Sequence, residues 1–282
     1  SAVLQAAWLH NGRVWVGEQD ELPENALGVD LSQRDTVVEV DSISGLCRAE
    51  RCATPDSIRK ILAQHGQWLP RGYFSSGSDP IGPALESGEA GTLVVALSAA
   101  LPDGTMFRTP VAPRRSTGPN PDYALIGGAG QIGIVTHATL RTSPIPAWKH
   151  AFRAVGPTPS LLNAVRLLLR KESPAFIWLE SFGNDDAQVT IVPGTQPIEA
   201  DVLVGDFALE QCSLDGEPIP PAKATRRVGW RTLSTYLQSD PCWAGPLDIH
   251  GGWVRGPAWM APKEDTRCHA VRTILDPSEV LR

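Results

Sequence analysis

The segment from Leu125 to Leu140 reads Leu-Ile-Gly-Gly-Ala-Gly-Gln-Ile-Gly-Ile-Val-Thr-His-Ala-Thr-Leu, and it limits what this chain can fold into more than any other stretch. Gly128, Gly130 and Gly133 satisfy the dinucleotide pattern G-x-G-x-x-G. That pattern holds a pyrophosphate when a helix follows it, because the helix N-terminus supplies the amides and the dipole. Here Ile134, Val135, Thr136 and Thr139 are β-branched, and Ile134, Thr136, Ala138 and Leu140 alternate with their neighbours. That is strand chemistry. The segment is therefore expected to be a glycine turn running into a strand, which speaks against a nucleotide-binding module of the Rossmann type. The acidic residue such a module carries about 20 positions on is also missing; that stretch offers His150 and Arg153 instead.

The 282 residues suggest one large domain or two modest ones, and 42% apolar residues suffice for a proper core. A net charge of -6, with basic residues scattered, leaves no electrostatic footprint for nucleic acid. No apolar run reaches the roughly 18 residues that span a bilayer. The start, Ser1 to His10, lacks the basic and apolar regions of a signal peptide. Five cysteines, Cys47, Cys52, Cys212, Cys242 and Cys268, are odd in number and widely spread, which fits reduced thiols and a cytoplasmic location.

Val14 to Val16, Thr36 to Val40 and Leu46 to Arg51 read as strands. Thr54-Pro55 is a helix start, a hydroxyl cap followed by proline. Ile58, Ile61, Leu62 and His65 then share one face, and Gly66 ends the helix. Arg71 to Gly91 is expected to be a loop. Thr92 to Ala100 and Thr105 to Thr109 read as strands joined by the turn Pro102-Asp103-Gly104. Pro159 to Lys171 is an amphipathic helix, with Leu161, Leu162, Val165, Leu168 and Leu169 at helical spacing. Phe176 to Glu180 and Gln188 to Val192 form a hairpin across Gly183-Asn184-Asp185. Trp230 to Leu237 and Arg267 to Leu275 are helical, and Ile249 to Trp253 is extended. The pattern is β-α-β in the first half and α+β in the second. The cut near Pro144 to Trp148 divides residues 1–146 from a cap-like α+β domain, residues 147–282, with a C-terminal helix.

Several of these stretches together resemble the FAD-binding family of vanillyl-alcohol oxidase and p-cresol methylhydroxylase, in particular the FAD-binding subunit of glycolate oxidase. The family's second flavin segment runs Gly-Ser-x-Gly-x-Leu-Gly-Ile-x-Thr, then a strand ending in Leu-Arg and Pro. Gly127 to Thr136, Leu140-Arg141 and Pro144 are similar to it. Val37 to Asp41, the helix Pro55 to Gly66 and Trp68-Leu69-Pro70 resemble the preceding strand, helix and Leu-Pro tail. Ala99 to Phe107 resembles the family's Asp-Gly hairpin. Trp178-Leu179-Glu180, Asp248 to Trp253 and Leu275-Asp276-Pro277 resemble its later motifs. The resemblance implies an α+β fold: a partial, truncated flavin-oxidase-type FAD-binding domain, followed by the small cap-like domain. Gly127, Gly128, Gly130, Gly133 and Ile134 would then be the cofactor-binding residues, provided FAD binds.

The departures carry equal weight. The family's pyrophosphate loop, Arg-Gly-Gly-Gly-x-Ser, has no counterpart, and about 35 residues before Val37 are too few for the subdomain that holds it. The Thr-Ile-Gly-Gly segment is reduced to Asp79-Pro80-Ile81-Gly82-Pro83, and the usual serine after Gly127 is Gly128. A diphosphate needs several N–H donors or a cation. Losing several charge-assisted hydrogen bonds at roughly 1.5–3 kcal/mol each removes several powers of ten in affinity. The expectation is a degenerate member, a pseudoenzyme binding FAD weakly or not at all. It would act as a non-catalytic or accessory subunit with another protein chain, or as a homo-oligomer. Faces left bare by the missing subdomain are expected to be apolar.

An active FAD-dependent hydroxy-acid oxidoreductase subunit, completed by a partner chain, stays open as the alternative. In it His250, beside Gly251-Gly252, would be the base that takes a substrate proton, and Arg255 would clamp a carboxylate. His137 is a weaker candidate for a base. No zinc spacing, P-loop or G-x-S-x-G elbow is present, and no metal is expected.

Overall fold

The computed structural model describes residues 2–10, 12–16, 26–112, 120–145, 150–171, 176–182, 186–192, 208–213, 226–239, 242–248, 251–255, 274–276 and 281. The chain divides into two compact units. The first holds residues 1–69, 76–142 and 263–282; the second holds residues 70–75 and 143–262. The division read from composition falls at 146/147 and runs the second half to Arg282, whereas Ile274, Leu275, Asp276 and Leu281 lie in the first unit.

In chain order the first unit contains α1 (Ala2–Leu9), β1 (Arg13–Val16), β2 (Ala26–Val29), β3 (Val37–Asp41), β4 (Leu46–Glu50), α2 (Pro55–Gln64) and β5 (Gln67–Trp68). It continues with α3 (Ile81–Glu86), β6 (Val94–Ala100), β7 (Met106–Arg108), α4 (Asp122–Leu125) and β8 (Ile134–Arg141). β1 and β2 pair in parallel, and Leu281 bridges to Val14, also in parallel. Leu4, Val14, Ala100, Ile134 and Leu281 share a buried cluster there. The buried Asp276 carboxylate accepts the Leu281 N–H at 3.0 Å, which holds the last described residue in place.

The main sheet of this unit has the order β3-β4-β8-β6-β7, and its neighbours are antiparallel throughout. β3 and β4 form the hairpin expected across residues 42–45, and α2, β5 and α3 follow before β6, so the strand–helix–strand order of this half closes into an antiparallel sheet. Cys47 and Ala49 stand opposite Leu140 and Ala138, and all four are buried. The intervening residues Arg48, Glu50, His137 and Thr139 take the other face, as the period of two requires. That face is polar. Polar side chains there leave water as a suitable neighbour.

Thr54 starts α2 with a full capping box. Its hydroxyl accepts the Ser57 N–H at 3.2 Å, and the Ser57 hydroxyl accepts the Thr54 N–H at 3.1 Å. Ile58 and Leu62 are fully buried. The expected loop from Arg71 to Gly91 instead contains α3 and two 3-10 turns, Arg71–Tyr73 and Gly91–Leu93. Six residues with an internal Gly and Pro cannot form a helix by propensity. α3 exists because the Ile81 and Gly82 amides bond to Ala53 and Arg51 carbonyls, at 3.0 and 2.8 Å.

The second unit contains β9 (Ser143–Pro144), β10 (His150–Pro157), α5 (Thr158–Lys171), β11 (Phe176–Ser181), β12 (Asp186–Val192) and β13 (Ala208–Ser213). Then come β14 (Arg226–Gly229), α6 (Trp230–Ser239), β15 (Cys242–Asp248) and β16 (Gly251–Arg255). Seven of its strands form an antiparallel sheet ordered β13-β10-β12-β11-β15-β16-β14. Leu161, Val165 and Leu168 of α5, with Leu233 and Leu237 of α6, pack on Ile177, Leu179, Val189, Ile191 and Ala244 of the sheet. The expected hairpin of β11 and β12 is present; its turn, residues 183–185, lies outside the described residues. So do Ile249 and most of the expected helix from Arg267, of which Ile274 and Leu275 are helical.

Removing the cap and removing core volume should differ in size. Thr54→Ala is expected to lower stability by about 1 kcal/mol. Leu62→Ala, which empties a fully buried site on the same helix, should cost about 2–5 kcal/mol. Urea titration of the two variants checks the ordering.

Candidate functional site

Of the five residues expected to meet a cofactor, Gly127, Gly128, Gly130 and Gly133 lie on the turn between α4 and β8 in the first unit, and Ile134 begins β8. Gly127 and Gly130 have φ of +80° and +73°, and Ala129 between them has φ +50°. Left-handed backbone at the two glycines is unstrained. Ala129 carries some strain, and its conformation is held by its N–H, which donates to the Glu86 carbonyl at 2.8 Å. Gly128 needs to be glycine for another reason. A Cβ there would stand 2.6 Å from the Ala124 carbonyl oxygen, so the serine usual in the resembled family does not fit this turn. At Gly133 a Cβ would meet Leu125 and the Ala100 carbonyl at 3.0 and 3.1 Å. β8 then begins directly at Ile134, with no helix after the glycines. Ile134 itself is buried against Leu4, Val14 and Leu281.

The amides of the turn are largely committed inside the protein. Gly127 N–H donates to Leu85 O at 3.0 Å and Gly128 N–H to Leu125 O at 3.2 Å. Gln131 N–H donates to Gly128 O at 3.0 Å. Val135 N–H donates to the Glu86 carboxylate at 2.9 Å. The N-terminus of α3 is equally occupied. Ile81 and Gly82 donate to carbonyls, Pro83 has no N–H, and Ala84 donates to Pro80 O.

Glu86 and Arg51 lie at the centre of this arrangement. The Glu86 carboxylate is gripped bidentately, Oε1 by Arg51 Nη1 and Oε2 by Nη2 at 2.9 Å. Arg51 Nη1 also donates to Val135 O at 3.1 Å. Both side chains are more than nine-tenths buried. A Cβ on Gly130 would lie 3.4 Å from Glu86 Oε2, so the carboxylate stands against the glycine turn. Sequence reasoning missed this pair. Glu86 sits in the stretch Leu85-Glu86-Ser87-Gly88 with no motif to mark it.

The weaker base candidate, His137, is on the open face of the five-stranded sheet. Its Nδ1 is 3.2 Å from Thr136 Oγ1, and its Nε2 is 3.7 Å from Glu50 Oε1. Burial, then the nearby Arg48 guanidinium, holds its pKa below the usual histidine value. Glu50 is also held below the usual carboxylate range, first by the Thr36 hydroxyl bond and also by Arg34, whose Nη1 donates at 3.1 Å. Cys47, on the helix-covered face, is pushed up to about 12 by burial, which makes it a packing residue and not a nucleophile.

In the second unit Arg255 ends β16, its backbone opposite Trp243, while His250 and the Arg255 side chain lie outside the described residues. A row that sequence reasoning passed over crosses this sheet on the face away from α5 and α6. It runs Glu210, Arg153, Thr190, Trp178, one residue from each of four adjacent strands. Trp178 stacks on Trp243 at 6.5 Å between ring centroids. Thr190 Oγ1 and Arg153 Nε are buried with no hydrogen-bond partner among the described residues. A guanidinium and a hydroxyl placed this way can receive an oxyanion. The alternation along β10 and β12 was the available signal. Among the described residues no three His, Cys, Asp or Glu side chains gather as metal ligands, and no helix is long and apolar enough to cross a membrane.

No protein-family model matches the sequence. An alkyldihydroxyacetonephosphate synthase from Caenorhabditis elegans is 24% identical over 175 residues, which are 52% of this chain and 28% of the synthase. The chain thus spans little more than a quarter of that relative's length. Two solved structures of an alkyldihydroxyacetonephosphate synthase, one in P1 and one in P212121, superpose on 99% of this chain with TM-scores of 0.63 and 0.65. They are 12% identical to it, and the chain covers 72% and 73% of their lengths. The chain therefore shares the fold of these synthase structures, an α+β architecture present here in part.

Two measurements test the site. Glu86→Gln should destabilise the protein by about 3–5 kcal/mol, because it leaves Arg51 buried without a counter-charge. The double variant Arg51→Met, Glu86→Leu should recover most of that loss, as read by urea titration. The second concerns pH. His137 is less basic in the folded protein than unfolded, so stability falls as pH drops below the unfolded value of 6.5, until the folded value is passed. Glu50 adds a second loss once pH falls below its unfolded value of 4.5. His137→Gln should abolish the first fall and leave the second, in denaturation midpoints measured against pH.

Proposed function

We propose that this chain is a degenerate, non-catalytic relative of the flavin-linked oxidases, an accessory subunit that retains FAD weakly or not at all. The observation that carries this is the state of the donors. A diphosphate must be met by free N–H groups or a cation. At the glycine turn the Gly127, Gly128, Ala129 and Gln131 amides already bond to Leu85, Leu125, Glu86 and Gly128 carbonyls, and at the start of α3 the Ile81 and Gly82 amides bond to Ala53 and Arg51 carbonyls. The nearest cation in this network, Arg51, is neutralised by Glu86. A carboxylate beside the turn also repels an incoming anion. These residues do not fit a flavin pyrophosphate. None of the four described cysteines, Cys47, Cys52, Cys212 and Cys242, is in a disulfide, in keeping with a reducing, cytoplasmic setting.

Placement beside the glycolate oxidase subunit rests on the sequence motifs alone. A second reading, an oxidoreductase subunit completed by a partner chain, is favoured by Arg153 Nε and Thr190 Oγ1, which are buried in the second unit with no hydrogen-bond partner among the described residues. In that case Arg153 would bind the carboxylate of a hydroxy acid, and the partner would supply the diphosphate donors.

The chain purified alone should be colourless near 450 nm and should show no saturable uptake of added FAD in equilibrium dialysis. Stoichiometric flavin in the isolated chain would overturn the first reading. A yellow complex that forms only with a co-purifying chain would favour the second.

A further inference from the structure

The open face of the β3-β4-β8-β6-β7 sheet is not flat. It encloses a recess of about 310 Å³, at the lower end of the range for metabolite sites. Its walls come from every strand of the sheet. Glu39 stands opposite Arg48, Arg48 opposite Thr139, His137 opposite Ser98, and Ser98 opposite Arg108. All of these line the recess. Ser98 and Thr139 are buried to about nine-tenths, so they lie at the bottom. Rim residues come from the segment after β7, where Thr109 folds back onto Leu97. The Leu97 N–H donates to its hydroxyl at 2.8 Å.

Among the described residues neither the Arg48 nor the Arg108 guanidinium has an ion pair or hydrogen bond, and the Ser98 and Thr139 hydroxyls have none. This contrasts with the same unit's other arginines near carboxylates: Arg34, Arg51 and Arg59 are each paired. The acidic end is partly engaged. Asp41 accepts the Ile43 and Ser44 amides of its own turn at 3.0 and 2.9 Å, which leaves Glu39 as the open carboxylate. The imidazole of His137 lies within the field of both arginines, each of which disfavours its protonation.

We propose that this recess binds a small organic oxyanion, a carboxylate or phosphate ester of metabolite size. Arg48 and Arg108 clamp the anionic group from opposite sides, and the Ser98 and Thr139 hydroxyls donate to it from below. Guanidinium is the group best matched to a planar or tetrahedral oxyanion, since its fork offers paired donors. Glu39, at the edge of the recess, accepts a hydroxyl or ammonium elsewhere on the same ligand. The site stands on the first unit alone and does not depend on whether the chain holds flavin.

The experiment is calorimetric titration of the full chain with succinate, inorganic phosphate and glycerol 3-phosphate at low ionic strength, with glycerol as the neutral control. At least one anion should bind saturably at a dissociation constant on the order of millimolar or below, and glycerol should not. Arg48→Met and Arg108→Met should each weaken binding roughly tenfold or more, the loss of one charge-assisted contact. Arg141→Met, an exposed position on β8 that is not part of the recess, should leave it unchanged. Circular dichroism confirms that the variants fold. Preference for the ester or the carboxylate identifies the source of the anion. Absence of saturable binding for all three anions, or equal binding by all variants, overturns the proposal.

Discussion

The bidentate contact between Arg51 and Glu86 is the interaction on which the first unit turns. Arg51 follows β4, Glu86 ends α3, and the carboxylate also receives the Val135 N–H from β8. One ion pair therefore fixes a strand, a helix of six residues and the exit of the glycine turn. Two desolvated charges are costly to bury, and their mutual attraction offsets that cost only with complete hydrogen bonding. Here the carboxylate has three donors, and the guanidinium additionally reaches the Val135 carbonyl. The pair specifies one arrangement of elements that have little intrinsic stability of their own.

The same pair decides what the glycine turn can do. Glycine-rich turns bind anions when their amides point outward into a concavity. In this protein the Gly127, Gly128 and Ala129 amides point at carbonyls of α3 and α4, and the Glu86 carboxylate stands against the turn. The fold of the synthase structures is present, while several amides of the turn and the one charge beside it are used for internal packing. Fold and site are separable in this way because the packing of apolar side chains sets the first and a few polar groups set the second.

Much of the architecture was legible in the chain. The Thr54-Pro55 cap, the Asp103-Gly104 turn, the α5 stripe of Leu161, Val165 and Leu168, and the strand after Gly133 are all local signals, and each corresponds to an observed element. α3 was not legible, because its Gly82 and Pro83 oppose a helix and long-range bonds to Ala53 and Arg51 impose it. Strands such as β10 and β13 pair at separations of about sixty residues, where composition gives no guide. Of the site, the glycine positions could be read, but their partner Glu86 could not. A lone glutamate near a glycine looks like any surface residue until the fold buries it. The recess on the open face was hidden for a related reason: Arg48, Arg108 and His137 are about thirty to ninety residues apart, and only the sheet order brings them together.

Amide hydrogen exchange is the most direct measurement of the central claim. If the turn amides are committed to internal acceptors, those of Gly127, Gly128, Ala129, Gln131 and Val135 should exchange slowly in the chain alone and should not change when FAD is added. Rapid exchange at these positions that becomes protected on adding FAD would contradict it, since it would mean that the turn keeps its donors available for the dinucleotide.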